Sequence, residues 1–101
     1  PEEAITQYRQ ALRIAPFFAE AHFNLANALE TVGNQGEAIK HYEETIRLEP
    51  GNVNALNNLG LMLARAGGSG QAESLFRRAL AVDPEFAPAR RNLARLLAGR
   101  P

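Results

Sequence analysis

Apolar residues recur along this chain at intervals of three and four, the mark of helices that bury one face. Ala4, Ile5, Tyr8, Ala11 and Leu12 form the first series. Ala21, Leu25, Ala28, Leu29 and Val32 form the second, and Ala38, Ile39, Tyr42, Ile46 and Leu48 the third. Two further series follow, and the last closes on Ala89, Leu93, Leu96 and Leu97. The pattern predicts six helices, over residues 2–15, 19–32, 37–48, 53–66, 71–82 and 87–98. Pro16, Pro50 and Pro84 end helices, because proline lacks a donor and pushes the residue before it out of helical conformation. Gly33 and Gly36 mark one turn and Gly67, Gly68 and Gly70 another, and glycine there is expected to supply positive backbone angles. The second turn, with three glycines in four residues, is expected to be the looser. Phe17 and Phe18 form an apolar link expected to wedge between packed elements. Pro88 falls in the first turn of the last helix, where it is tolerated, and Gly99 with Pro101 closes that helix.

The pattern also repeats. Ala21, Asn24, Leu25, Leu29, Gly33, Gly36, Ala38 and Pro50 reappear 34 places later as Ala55, Asn58, Leu59, Leu63, Gly67, Gly70, Ala72 and Pro84. A fixed period of this size means stacked helical units. The run Ala21-His22-Phe23-Asn24-Leu25-Ala26, followed by Gly33, Ala38, Tyr42 and Pro50, resembles a tetratricopeptide repeat. So does Ala55 to Gly60, followed by Gly67, Ala72, Phe76, Ala79 and Pro84. The resemblance implies an all-α fold, an α-solenoid of antiparallel helix pairs wound as a superhelix. One array of six helices is expected over residues 1–101: a second helix alone (1–18), full repeats at 19–52 and 53–86, and a first helix alone (87–101). Two departures stand out. The early aromatic of the first helix is replaced by His22, Leu56 and Arg90. Thr45 occupies a column that is alanine at Ala11 and Ala79, so Thr45→Ala is expected to be harmless. Ala26, Gly60 and Ala94 are small where helices are expected to approach closely.

Composition narrows the class. The chain has 101 residues, 46% hydrophobic and 22% charged, which fits one folded domain. It has no cysteine, so disulfide frameworks and thiolate metal sites are excluded. No apolar run approaches the ~20 residues of a membrane span, and no membrane partner is expected. No leader is visible, the chain starts at Pro1 in mid-repeat and reads as a piece of a longer array, and the cytoplasm is the default expectation. Net charge is zero but unevenly spread. Residues 1–50 carry eight acidic side chains against four basic, and residues 51–101 three acidic against seven arginines, giving −4 and +4.

No catalytic set is present, and no cofactor or metal site is expected. His22 should pack and His41 should face solvent; neither has ligands at metal spacing. Gly67 to Gly70 lacks the lysine of a phosphate loop. The arginines of the second half could suggest nucleic acid, but zero net charge and the absence of aromatics among them argue against it. The candidate site is a column instead. Asn24, Asn58 and Asn92 recur one period apart, on a stripe beside the buried face. The resemblance implies that first helices line a concave groove, and the local Asn-Leu-Ala and Asn-Leu-Gly pattern is similar to the array of O-GlcNAc transferase, where such asparagines are associated with gripping an extended polypeptide. A primary amide both donates and accepts, so it can pair with any peptide group. The same column can also serve packing alone. Beside the ladder lie Phe23 and Asn27, then Asn57 and Leu61, then Arg91 and Arg95, which implies a protein or peptide partner with acidic residues near the basic end.

The expected function is therefore non-catalytic protein interaction through the groove. The alternative is a substrate-presenting segment of a larger enzyme, such as a glycosyltransferase, whose catalytic domain lies elsewhere. The terminal half repeats expose Ile5, Tyr8 and Leu12 at one end and Leu93, Leu96 and Leu97 at the other. Their complementary charge suggests head-to-tail self-association.

Overall fold

In the computed structural model, which describes residues 1–100, all six expected helices form: α1 (Glu2–Ile14), α2 (Ala19–Thr31), α3 (Gln35–Leu48), α4 (Val53–Arg65), α5 (Ser69–Val82) and α6 (Ala87–Ala98). Among the described residues there is no strand. The closure assigned to Pro101 lies outside them. The chain divides into two compact units, residues 1–50 and 51–101. In the first, α2 packs against both α1 and α3; in the second, α5 packs against α4 and α6, and α4 also touches α6.

The two kinds of break work as local chemistry demands. Ala15, Glu49 and Asp83 each precede a proline and each is a helix C-cap with φ of −133, −134 and −136 and ψ of 78, 83 and 94. That is the extended conformation proline imposes on its predecessor. The glycine breaks are tighter. Gly33 N–H donates to Glu30 O and Asn34 N–H to Leu29 O, and Gly67 N–H to Ala64 O and Gly68 N–H to Leu63 O. Both are Schellman closures, with the glycine left-handed at φ 86 and 92.

This corrects the predicted turns. Only Gly33 and Gly67 have positive φ. Gly36 and Gly70 are already helical, because α3 and α5 each start two residues earlier than the apolar pattern suggested. Asn34 is the reason in α3: its side chain accepts from Glu37 N–H at 3.4 Å and caps the helix.

Each unit has its own buried residues. Unit 1 buries Ile5, Leu25, Leu29, Tyr42, Thr45 and Ile46, and unit 2 buries Leu56, Leu59, Met62, Leu75 and Phe76. Ala26 and Gly60 are both buried, whereas Ala94 is exposed. Three other expectations change. Phe17 and Phe18 are not wedged; they are 74% and 50% exposed, since a link this short cannot turn both rings inward. His41 does not face solvent, because its ring edge meets that of His22, Nδ1 to Nδ1 at 3.0 Å. Ile5 is not left open at an end but is buried in unit 1.

Candidate functional site

A concavity lies in unit 2. Leu61, Ala64 and Arg65 of α4, Phe76 of α5, and Asn92, Arg95 and Leu96 of α6 line a hollow of about 220 Å³. Gly60 makes it possible. A Cβ at that position would stand 2.7 Å from Phe76 Cε1, so only glycine lets the Phe76 ring lie this close to α4. The floor is thus apolar, built from Leu61, Ala64, Phe76 and Leu96. The polar groups stand at its edge.

Three of the residues expected at a groove, Leu61, Asn92 and Arg95, meet here. Asn57 does not join them as a surface group. It is 6% exposed, and its Oδ1 accepts a hydrogen bond from Asn92 Nδ2 at 2.9 Å. The periodicity placed Asn57 beside the buried face, but α4 is covered by both α5 and α6, which widens its buried arc. The consequence is a fixed Asn92 carboxamide whose Oδ1 is left to accept. Asn58 is half-buried and has a partner of its own. Arg91 stands apart, lining a second, shallower hollow of about 350 Å³ with Ala87, Arg90 and Ala94.

Charge at the first hollow is uncommitted. Arg9, Arg47, Arg77, Arg90 and Arg100 each pair with a carboxylate. Among the described residues Arg65 and Arg95 have no such partner. Two exposed guanidinium groups beside an apolar floor attract an anionic group without first breaking an ion pair. Arg65 and Phe76 escaped the sequence reading as site residues. The available signal was Gly60: a glycine in a helix interior marks a close approach, here by Phe76.

In unit 1 the matching positions are filled differently. One period before Phe76, Leu61 and Ala64 stand Tyr42, Asn27 and Glu30. The Tyr42 hydroxyl is shared between Asn27 Oδ1 and Glu30 Oε1, the latter at 2.8 Å. Phe23 meets the Tyr42 ring edge-on, with centroids 5.9 Å apart. Asn27 is therefore engaged by Tyr42, while Phe23 and Asn24 remain partly exposed on α2. Among the described residues no three histidines, aspartates or glutamates cluster as a metal site, and no helix is long and apolar enough to cross a membrane.

Four family models match the sequence: one described as a TPR repeat over residues 2–33, and three described as a tetratricopeptide repeat over 19–52, 41–74 and 58–101. No curated protein matches. Solved structures do. MamA superposes with a TM-score of 0.92 at 22% identity, over 98% of this chain and 58% of that one. The first TPR domain of Spaghetti (RPAP3), bound to an HSP90 peptide, gives 0.90 at 18% identity, over 96% and 77%. The O-GlcNAc transferase of Thermobaculum terrenum gives 0.84 at 27% identity, over 92% of this chain but 18% of that one. The chain spans little more than half the length of the two MamA chains it matches, 58% and 54%.

Proposed function

Because the chain belongs to the tetratricopeptide repeat family, a fold of helix pairs that presents surfaces to other proteins, we propose that it is a non-catalytic module that binds an extended peptide, with the unit 2 hollow as its principal anchor. The observation that carries this reading is the pairing of an apolar floor with two uncommitted arginines and a fixed carboxamide. An apolar side chain of the ligand fills the hollow. Asn92 accepts from a peptide N–H, and Arg65 and Arg95 meet acidic residues on either side of the anchor. Asn58 continues the contact surface, with Arg91, one residue before Asn92, at the second hollow; in unit 1 Phe23 and Asn24 offer an aromatic and an amide of the same kind. Asn57 supports Asn92, and Asn27 supports Tyr42, rather than touching ligand.

Fluorescence anisotropy with short peptides carrying one leucine between acidic residues tests this. Leu61→Glu should abolish binding. Arg95→Ala should weaken it about ten- to a hundredfold, in line with the ~1.5–3 kcal/mol of a charged hydrogen bond, and flatten its salt dependence. Unchanged affinity in both variants would sink the reading.

The likeness to part of an O-GlcNAc transferase favours a second reading, in which the same surface presents substrates to an attached catalytic domain. Sugar transfer by the full-length protein, with Leu61→Glu changing which substrates are modified, is its test. The opposite charges of the two units, −4 and +4, also support association between copies. Sedimentation across a concentration and salt series checks it, with a salt-independent monomer as the contrary result.

A further inference from the structure

A part-buried polar cluster lies in unit 1, apart from the residues assigned above to peptide binding. His22 of α2 and His41 of α3 meet edge to edge, with ring centroids 5.2 Å apart and planes inclined by 27°. Their Nδ1 atoms lie 3.0 Å from each other. On the far side of His22, Nε2 is 2.8 Å from the carbonyl oxygen of Pro16. On the far side of His41, Nε2 is 3.5 Å from Glu37 Oε2, and the same carboxylate pairs with Arg9 of α1.

Protons can be assigned from what each nitrogen faces. A carbonyl only accepts, so His22 Nε2 carries a proton. Two nitrogens 3.0 Å apart hold one proton between them; none leaves two lone pairs opposed, and two oppose N–H to N–H. A carboxylate favours a proton on His41 Nε2. That makes three protons on four nitrogens, the pair with a single positive charge. The neutral pair keeps the contact between the rings and leaves His41 Nε2 bare beside Glu37, a small loss at this distance. A second positive charge is different in kind. It sets two donors against each other between two cations that meet at their ring edges, and one ring must turn away. If His22 turns, its bond to the Pro16 carbonyl goes; if His41 turns, its contact with Glu37 goes.

We propose that the His22–His41 pair is a one-proton latch that fastens the α1–α2 link to the α2–α3 hairpin and opens when a second proton binds. The charged groups facing it are Arg9 from α1, and Glu37 and Glu44 from α3, the last itself paired with Arg47. Arg9 and burial oppose the second proton, whereas the two carboxylates favour it. Burial prevails: it is the largest cause holding His41 below the ordinary histidine value, followed by the charge of His22. The unfolded chain then binds the second proton more readily than the folded one, so stability is complete above about pH 6.5 and is lost as pH falls below it. The chain has two histidines, and no other side chain titrates in this range at its ordinary pKa.

Imidazole nitrogen NMR of the intact chain from pH 8 to 5, run beside urea unfolding, tests the latch. The expected result is a His41 ring that titrates below the ordinary histidine value. Amide exchange in the last turn of α1 should quicken as the second proton binds. The unfolding constant should rise by up to about tenfold per pH unit below 6.5. His41→Phe, which keeps a ring on His22 without the proton, should flatten that dependence. A His41 ring titrating at or above the ordinary histidine value, a wild-type stability unmoved between pH 7 and 5, or a His41→Phe chain that keeps the full acid loss would each overturn the proposal. Should His41→Phe not fold, the wild-type titration decides alone.

Discussion

Tyr42 and Phe76 occupy the same column one period apart, and a single oxygen decides what each unit does with it. Burying a hydroxyl requires partners, and Asn27 and Glu30 supply them. Phe76 requires none, so Leu61 and Ala64 replace the polar pair and the position opens as an apolar hollow. Tyr42→Phe should therefore cost about 1 kcal/mol, by urea unfolding. Adding Asn27→Leu and Glu30→Ala should recover most of that loss by recreating the arrangement of unit 2. Thr45 gives a second case. The sequence suggested that alanine would be harmless there, but the side chain is completely buried, and its hydroxyl donates to His41 O at 2.9 Å. Thr45→Ala should destabilise by about 1 kcal/mol, since it leaves a small void as well as removing the bond.

Helix ends carry the repeat. Prolines stop α1, α3 and α5 through the residue before them, and left-handed glycines stop α2 and α4 through Schellman bonds. The glycines two places into the following helices have no such duty. A Cβ at Gly36 or Gly70 would meet nothing within 4 Å, and neither has positive φ. Gly36→Ala and Gly70→Ala should each stabilise by roughly 0.5 kcal/mol, because alanine has less backbone freedom to lose. Gly33→Ala and Gly67→Ala should each cost about 1 kcal/mol or more, since both would strain an L-residue at positive φ. Thermal melts of the four variants separate the two roles, and equal effects at Gly33 and Gly36 would contradict the assignment.

At the scale of the whole molecule, charge is apportioned by unit. Unit 1 carries −4 and unit 2 carries +4, so an acidic ligand is steered to the second, and its association rate should fall as salt rises. Ion pairs tie helices within each unit: Arg9 of α1 to Glu37 of α3, and Arg100, just past α6, to Glu73 of α5 at 2.6 Å. Hydrogen bonds from Arg9 hold the Glu37 pKa below the ordinary carboxylate value, and those from Arg100 and then Arg77 do the same for Glu73. A lowered folded pKa stabilises above the unfolded value and is lost as pH falls through the folded one. Acid unfolding should therefore have a second stage, below about pH 4.3, that Glu37→Gln together with Glu73→Gln removes. Circular dichroism against pH checks it.

The sequence determined the helices and their order. Apolar spacing, three prolines and a 34-residue period are local properties, set by backbone geometry that each segment meets on its own. The asparagine column was equally legible as a periodic position. What each asparagine bonds to was not. Asn57 is buried because two helices cover α4, Asn92 is fixed because Asn57 lies beneath it, and Asn27 is spent on Tyr42. The same holds for the two histidines, 19 residues apart, whose rings meet only when α3 returns along α2. Burial and hydrogen bonding depend on which faces a helix has covered, and no single helix carries that information. Tertiary structure therefore decided which periodic residues became packing and which, Leu61 with Arg65 and Arg95 among them, came to line an open hollow.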